Sequence, residues 1–97
     1  MEEGSGRLTE FGATVLAMMA EKGVTQYKQL SQLMAAEGED ASPSKLSNWF
    51  YGRNAAPPRI PRVITAALKL DDERKARLAM AYAYGQDVYI TELTASG

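Results

Sequence analysis

A short polar and basic segment near the middle of the chain carries the side chains best suited to binding chemistry. Ser42 and Pro43 predict the start of a helix, because a serine hydroxyl can cap free N–H groups and proline needs no N–H at the first helical position. Leu46, Trp49 and Phe50 share one side of this helix by their spacing, which predicts that this side is buried. The opposite side is left with small, polar or basic residues: Pro43, Ser44, Lys45, Ser47 and Asn48. A short helix with an anchored back and such a front is one that a DNA major groove can admit.

The segments before and after this helix complete a predicted helix-turn-helix arrangement. Thr25 is expected to cap the preceding helix through its hydroxyl. The apolar residues that follow at helical spacing are Tyr27, Leu30, Leu33 and Met34. Gly38 and three acidic residues suit an exposed connection between the two helices. Gly52 then predicts a left-handed stop at the end of the second helix.

Three segments of this region resemble a known family. They are residues 23–26, 30–33 and 46–54, which read GVTQ, LSQL and LSNWFYGRN. They are similar to the lambda-repressor-like (XRE-type) helix-turn-helix domains of bacterial and phage transcriptional regulators, and the resemblance extends over residues 8–85. The chain departs from the family pattern in its longer, acidic turn and in Ser31, where a small alanine is common. Phe50 and Tyr51 also replace the polar pair often found before the glycine.

The resemblance implies an all-α fold, a compact five-helix lambda-repressor-like domain. We expect residues 1–6 to be disordered and residues 7–85 to form the helix-turn-helix domain. Residues 86–97 are expected to form a tail that either serves oligomerisation or is disordered. The first helix is predicted to begin near Arg7, and Gly12 is predicted to allow close approach of another helix. The fourth is predicted to open around Arg59, and the fifth to be capped by Asp71.

If the second helix of the motif enters a groove, side-chain chemistry assigns the roles. Lys45 can take a phosphate or a guanine edge, and Asn48 can pair with N6 and N7 of adenine. Gln26, at a helix N-terminus, is expected to lie over the sugar-phosphate backbone. Lys28, Arg53 and Arg59 are expected to contact the backbone, and the resemblance implies a base contact for Asn54. The full set of predicted DNA-binding residues is Gln26, Lys28, Pro43, Ser44, Lys45, Ser47, Asn48, Arg53, Asn54 and Arg59.

The net charge of −1 is unusual for a nucleic-acid-binding protein, but the charges are unevenly placed. Residues 41–70 contain no acidic residue and five basic ones, namely Lys45, Arg53, Arg59, Arg62 and Lys69. A phosphate backbone responds to the local electrostatic field and not to the net charge of the whole chain. This distribution of charges therefore predicts a basic surface. The alternative is that the basic residues form an ordinary solvated face.

The last predicted helix is apolar on more sides than one packing face requires, which indicates a helix that is central or shared with a partner. In the resembled family a terminal helix often pairs two subunits. This implies a homodimer interface through Leu78, Tyr82 and Tyr84. The alternative is that Tyr82 and Tyr84 complete the core of the monomer.

Cysteine and histidine, two residue types that many catalytic and metal sites use, are missing from the sequence. With no cysteine and no histidine, the chain can form neither a disulfide nor a Ser-His-Asp triad nor a zinc site with thiolate or imidazole ligands. Residues 42–45 match the S-x-x-K pattern of serine acylases, but the S-D-N and K-T-G partners are absent. Residues 71–73 are acidic, and helix capping explains them better than a bound cation. We therefore expect no enzymatic activity, no metal and no cofactor.

The sequence also contains no apolar run near the ~20 residues that span a bilayer, and its polar N-terminus does not fit a secretory signal. These features predict a cytoplasmic protein without a membrane partner. Together with the motif, they predict a sequence-specific regulator of transcription that binds double-stranded DNA. The favoured form of this prediction is a dimeric repressor. Two alternatives stay open: a protein-interaction module on the same fold, such as an antitoxin or adaptor, and the N-terminal module of a longer regulator.

Overall fold

Capping residues and hydrophobic spacing divide the chain into helices joined by short connections. The computed structural model describes residues 7–86 and residue 88. Within these residues it contains no β-strand and five helices, α1 (Glu10–Glu21), α2 (Tyr27–Ala36), α3 (Pro43–Phe50), α4 (Ile60–Leu68) and α5 (Asp72–Gly85). Helix α1 packs on α3 and α5, α2 packs on α3 and α4, and α4 packs on α5. The predicted all-α class is confirmed, while the expectations for residues 1–6 and for most of the tail lie outside the described residues.

Two predicted helix starts are wrong, and capping chemistry explains both. Helix α1 begins at Glu10 and not near Arg7, because Thr9 is extended and its hydroxyl accepts the N–H of Gly12 at 2.9 Å. Helix α2 is capped at Gln26 and not at Thr25. The side chain of Gln29 reaches back and accepts the N–H groups of both Thr25 and Gln26, at 2.8 and 3.0 Å. Gln26 and Gln29 therefore form a capping box, in which the Gln26 side chain accepts the backbone N–H of Gln29 in return.

The starts of α3 and α5 agree with the sequence-based prediction. Ser42 Oγ accepts the N–H of Lys45 at 3.2 Å, and Pro43 occupies the first helical position. Asp71 accepts the N–H of Arg74 at 2.9 Å, so it caps α5. Each cap satisfies one of the N–H groups that a helix start leaves without an intrahelical partner.

Aromatic rings connect α3 to its neighbours in the core. The ring of Phe50 lies between those of Phe11 and Tyr27, with centroid separations of 5.9 and 5.6 Å. Phe11 also meets Tyr82 edge to face at 5.6 Å. Each such pair contributes roughly 0.5–1.5 kcal/mol beyond the burial of its surface. Phe50 is fully buried. Through this one side chain, the carboxyl end of α3 contacts both α1 and α2.

The apolar face of α2 is narrower than its sequence suggests. Leu30 and Met34 are fully buried, but 37% of Leu33 is exposed. Leu33 is therefore not part of the buried core. Leu33 is next to Met34 in the sequence and lies at the edge of the apolar stripe, where the surface of the helix becomes exposed to solvent.

The start of α1 lies close against the end of α3. The backbone carbonyl of Phe50 accepts two hydrogen bonds from Thr9, one from the N–H at 2.9 Å and one from the hydroxyl at 3.0 Å. Gly12 lies against the same carbonyl, and a Cβ atom there would stand 2.3 Å from the Phe50 oxygen. Thr9 is fully buried, so these bonds form away from solvent. The predicted close approach at Gly12 is confirmed.

Gly12→Ala distinguishes helix propensity from packing, because the two have opposite effects on the free energy of unfolding. Propensity alone favours alanine by up to ~1 kcal/mol. The contact with Phe50 predicts instead a loss of about 2 kcal/mol or more, since a backbone oxygen cannot move aside without shifting α3. Thermal unfolding measures the difference as a Tm lower by roughly 10 °C. Ala20→Gly, at an exposed position of α1, is the control for propensity alone. A Tm for Gly12→Ala at or above that of the wild type would contradict the close approach.

Candidate nucleic-acid interface

Helix α3 turns an apolar back to the core and a polar front outward. Leu46 and Phe50 are fully buried and Trp49 is 7% exposed, so the predicted back of the helix is confirmed. Of the predicted front residues, Pro43, Ser44 and Lys45 are exposed, and Ser47 and Asn48 are half-buried. The arrangement leaves hydroxyl, amide and ammonium groups on one side of a helix that its other side holds in place.

The connection between α2 and α3 is long, and hydrogen bonds hold it in place. It spans the six residues 37–42, against the three or four of a standard helix-turn-helix. Gly38 has a φ of +89°, and Glu39 returns an N–H to the carbonyl of Met34 at 2.9 Å, which closes the end of α2. The hydroxyl of Ser31 then donates to the carbonyl of Ala41 at 2.6 Å. Ser31, which departs from the resembled pattern, thus holds the lengthened connection against α2.

The acidic connection supplies a partner for one of the predicted phosphate-binding residues. Both oxygens of the Glu39 carboxylate accept from Arg59, from Nε at 2.7 Å and from Nη2 at 2.9 Å. Hydrogen bonding to Arg59 lowers the pKa of Glu39. Arg59 is one of the five basic residues counted in the segment 41–70, which itself contains no acidic residue. The structure brings in an acid from just outside the segment, so Arg59 is engaged within the protein.

Arg53 lies beyond the end of α3 but its side chain returns to the front of that helix. Its Nη1 donates to Ser47 Oγ at 3.4 Å and to Asn48 Oδ1 at 3.3 Å. Its guanidinium also stands 5.3 Å from the centre of the Tyr51 ring, a cation–π distance. Three of the predicted DNA-binding residues, Arg53, Ser47 and Asn48, are therefore in direct contact.

The backbone turn after α3 produces this contact. Gly52 has a φ of +76°, which reverses the chain at the helix end. The N–H groups of Arg53 and Asn54 then both reach the carbonyl of Asn48, at 2.9 and 3.3 Å. Exposed Asn54 is thereby held beside the last turn of α3. Side-chain spacing within a helix could not predict that Arg53 meets Asn48, but the glycine stop at Gly52 was a usable signal for it.

The start of α2 contacts the carboxyl end of α3. Gln26 and Lys28 are exposed, and Tyr27 between them packs its ring on Phe50. Burial, followed by the neighbouring Tyr51 hydroxyl, raises the pKa of Tyr27, and the charge of Arg53 opposes that shift. Gln26 and Lys28 are thus placed next to the carboxyl end of α3, where Arg53 and Asn54 lie.

The helix α5 residues predicted for a dimer interface have three different environments. Leu78 is fully buried in the core of the chain. The hydroxyl of Tyr82 donates to the carbonyl of Ala56 at 2.7 Å, and its ring meets Phe11, so this tyrosine belongs to the monomer. Tyr84 is 71% exposed and is the predicted residue that a second chain can reach, together with Met80, which is 61% exposed and which the sequence-based set did not include.

Comparison with known proteins leaves the family resemblance a prediction. No family model, no curated protein and no solved structure matches this chain. No helix among the described residues is both long and apolar enough to cross a membrane. The same residues include no cluster of three or more acidic side chains that could hold a metal ion.

Glu39→Gln tests the ion pair through the pH dependence of stability. Because Arg59 lowers the pKa of Glu39 in the folded chain, the stabilisation is present in full above the ordinary value of 4.5. It is lost as the pH falls through the lowered value. We expect a Tm below that of the wild type at pH 7 and a Tm difference that vanishes in acid. The effect is small, because Arg59 is 59% exposed. A difference that persists unchanged at low pH would exclude the pair as its cause.

Proposed function

We propose that this chain is a sequence-specific, double-stranded DNA-binding regulator of transcription that inserts α3 into the major groove. The observation that carries the proposal is the two-sided character of α3. Leu46, Trp49 and Phe50 hold it from behind, while Ser44, Lys45 and Asn48 stand on its front. An α-helix fits the major groove of B-DNA, where base edges present hydrogen-bond donors and acceptors that such side chains can pair with.

The surface around α3 supports the same function. The start of α2, with exposed Gln26 and Lys28, adjoins the carboxyl end of α3. Helix N-termini favour anions, and an amide and an ammonium group there suit the phosphates that flank a groove. In this proposal the phosphate contacts from Gln26, Lys28 and Lys45 set the register, and Asn48 with Ser44 reads bases. Arg59 is left out of the contact set because Glu39 engages it.

The proposed mode of action is repression by a symmetric dimer. Two copies of α3 in successive major grooves require half-sites about one helical turn, ~34 Å, apart. Such a dimer covers the duplex and blocks polymerase. The contact surface proposed for the second copy is the outer face of α5 with Tyr84 and Met80, the large apolar side chains of that helix that are most exposed. An isologous pairing of this kind uses the same patch on both copies.

Selection of bound duplexes from a randomised DNA pool, followed by sequencing, tests the proposal. Specific binding by a dimer predicts an enriched inverted repeat with half-sites about one helical turn apart. A single enriched half-site would retain the reading helix and refute the dimer. A pool that remains random after repeated rounds would refute specific DNA binding.

Lys45→Met tests the phosphate contact proposed at the front of α3. Each neutralised phosphate contributes about −0.9 to the slope of log K against log salt concentration. We expect Lys45→Met to weaken binding at low salt and to reduce the slope by roughly that amount. Lys75→Met, the same change at an exposed position of α5, is the matched control and is expected to keep the wild-type slope. Fluorescence anisotropy on one labelled duplex gives both quantities. Equal slopes for the wild type and Lys45→Met would exclude the contact.

A protein-binding module is the second candidate function, and the pairing of Glu39 with Arg59 favours it. The connection 37–42 places acid beside α3, where a DNA-binding surface gains from cations. This candidate predicts DNA binding that is weak and insensitive to salt. It also predicts that Glu39→Gln, which removes a charge from that surface, leaves DNA binding unchanged. An increase in DNA affinity for Glu39→Gln would count against it.

A further inference from the structure

The guanidinium of Arg59 binds a carboxylate in the geometry that an arginine also uses for a phosphate. Its Nε and Nη2 donate to the two oxygens of Glu39 at 2.7 and 2.9 Å, so the groups meet through two parallel hydrogen bonds. Arginine binds carboxylates and phosphates with this same pair of bonds, and the opposite charges make the bonds short and strong. Glu39 therefore occupies an edge of Arg59 that would fit two oxygens of a DNA phosphate group.

The protein covers the carboxylate of this pair much more than the guanidinium. The Glu39 side chain is 11% exposed, whereas the Arg59 side chain is 59% exposed. The N–H of Glu39 is bonded to the carbonyl of Met34, and the bond from Ser31 to Ala41 fixes the next part of the connection. Removing the partner of a largely covered charge is unfavourable, because little water can replace that partner. The covered position of Glu39 therefore opposes separation of the pair, although Arg59 faces solvent.

The pair lies beside the proposed DNA-binding surface. Glu39 belongs to the connection that leads into α3, and Arg59 immediately precedes α4. The hydrogen bond from Arg59 is the main cause of the lowered pKa of Glu39, and the charge of Lys45 adds to this effect. One carboxylate is thus within electrostatic reach of both Arg59 and Lys45, and Lys45 is the phosphate contact proposed for α3.

We infer that Glu39 lowers the affinity of the chain for DNA by neutralising, within the protein, an arginine that would otherwise neutralise a phosphate. The inference rests on the proposed function and concerns the regulation of the same surface. A basic side chain adds to DNA affinity and to its salt dependence by neutralising a phosphate and releasing a counterion. The donors of Arg59 that Glu39 does not use can still touch a phosphate, but the ion pair brings no net charge to it. Because phosphate contacts carry no base information, Glu39 lowers the affinity for all sequences to the same extent.

Fluorescence anisotropy with the full chain and one labelled duplex, at several salt concentrations, tests the inference. Glu39→Gln keeps an acceptor for Arg59 but removes the charge that balances it. We expect this variant to bind about 3-fold or more tightly than the wild type at low salt, and to have a slope of log K against log salt that is steeper by about 0.9. Glu37→Gln is the matched control, because it removes the same charge from an exposed residue two positions earlier, and it is expected to keep the wild-type slope. Thermal unfolding checks that each variant is folded at the assay temperature.

Two double variants of equal net charge show whether Arg59 is the source of the added affinity. We expect Glu39→Gln combined with Arg59→Met to return to the wild-type slope, since the released cation is then absent. We expect Glu39→Gln combined with Lys75→Met to keep the steeper slope, since Lys75 lies on α5. Selection from a random pool should give Glu39→Gln the same base preferences as the wild type.

The other outcomes overturn the inference in distinguishable ways. An unchanged slope for Glu39→Gln would show that Arg59 gains no phosphate contact. An equal increase for Glu37→Gln, or an increase that persists after Arg59→Met, would assign the effect to the general charge of the connection. In these cases the wild type still binds DNA, and the proposed function would stand. Wild-type protein that binds no duplex would remove the proposed function and the inference together.

Discussion

The backbone carbonyl of Phe50 is the point on which the arrangement of the helices depends. It belongs to the last turn of α3, where a helix leaves its carbonyl groups without intrahelical partners. Thr9 provides two donors for it, and Gly12 has no side chain that would keep α1 away. An eight-residue helix is too short to be stable alone, so α3 takes its position from such contacts. The rings of Phe11 and Tyr27 on either side of Phe50 fix the same end against α1 and α2.

Local ion pairs determine which charges on the surface of this slightly acidic chain are balanced by a neighbouring opposite charge. Arg74 joins Glu21 and Asp71 where α1 and α5 meet. The hydrogen bond from the Arg74 side chain lowers the pKa of Glu21, and the backbone N–H of Arg74, followed by the charge of its side chain, lowers the pKa of Asp71. Glu39 engages Arg59 beside α3 in the same way. Each pair has at least one partner in contact with solvent and stabilises the fold little, but each changes the field around it. The cations that shape the surface around α3 are therefore fewer than the sequence count suggests.

Local chemistry made much of the fold predictable. The serine and proline at the start of α3, the aspartate before α5 and the spacing of Leu46 and Phe50 each act within a few residues, so their effects could be read directly from the sequence. The start of α2 was missed because a capping box between Gln26 and Gln29 places the cap one residue beyond Thr25, whose hydroxyl instead donates to Gln29 Oε1. Propensity rules rank the hydroxyl first but do not exclude the longer side chain.

The candidate site was less predictable because its contacts join residues far apart in sequence. Residue types and helix periodicity identified the front of α3. The pairing of Arg59 with Glu39 spans twenty positions, and no pattern within a single helix indicates it. The contact between Arg53 and Asn48 depends on two features. The left-handed turn at Gly52 was predictable from the sequence, whereas the direction of the Arg53 side chain was not.

The most direct test of the account is to map where DNA touches the folded chain. Amide signals of ¹⁵N-labelled protein can be followed by NMR during titration with a short duplex of random sequence at low salt. If α3 meets DNA, the signals that move will belong to Ser44, Lys45 and Asn48 in α3 and to Gln26 and Lys28 at the start of α2. Signals from the exposed face of α5 should stay in place at low protein concentration. Shifts confined to α1 and α5, or no shifts at all, would contradict the claim that α3 is held in place to meet DNA.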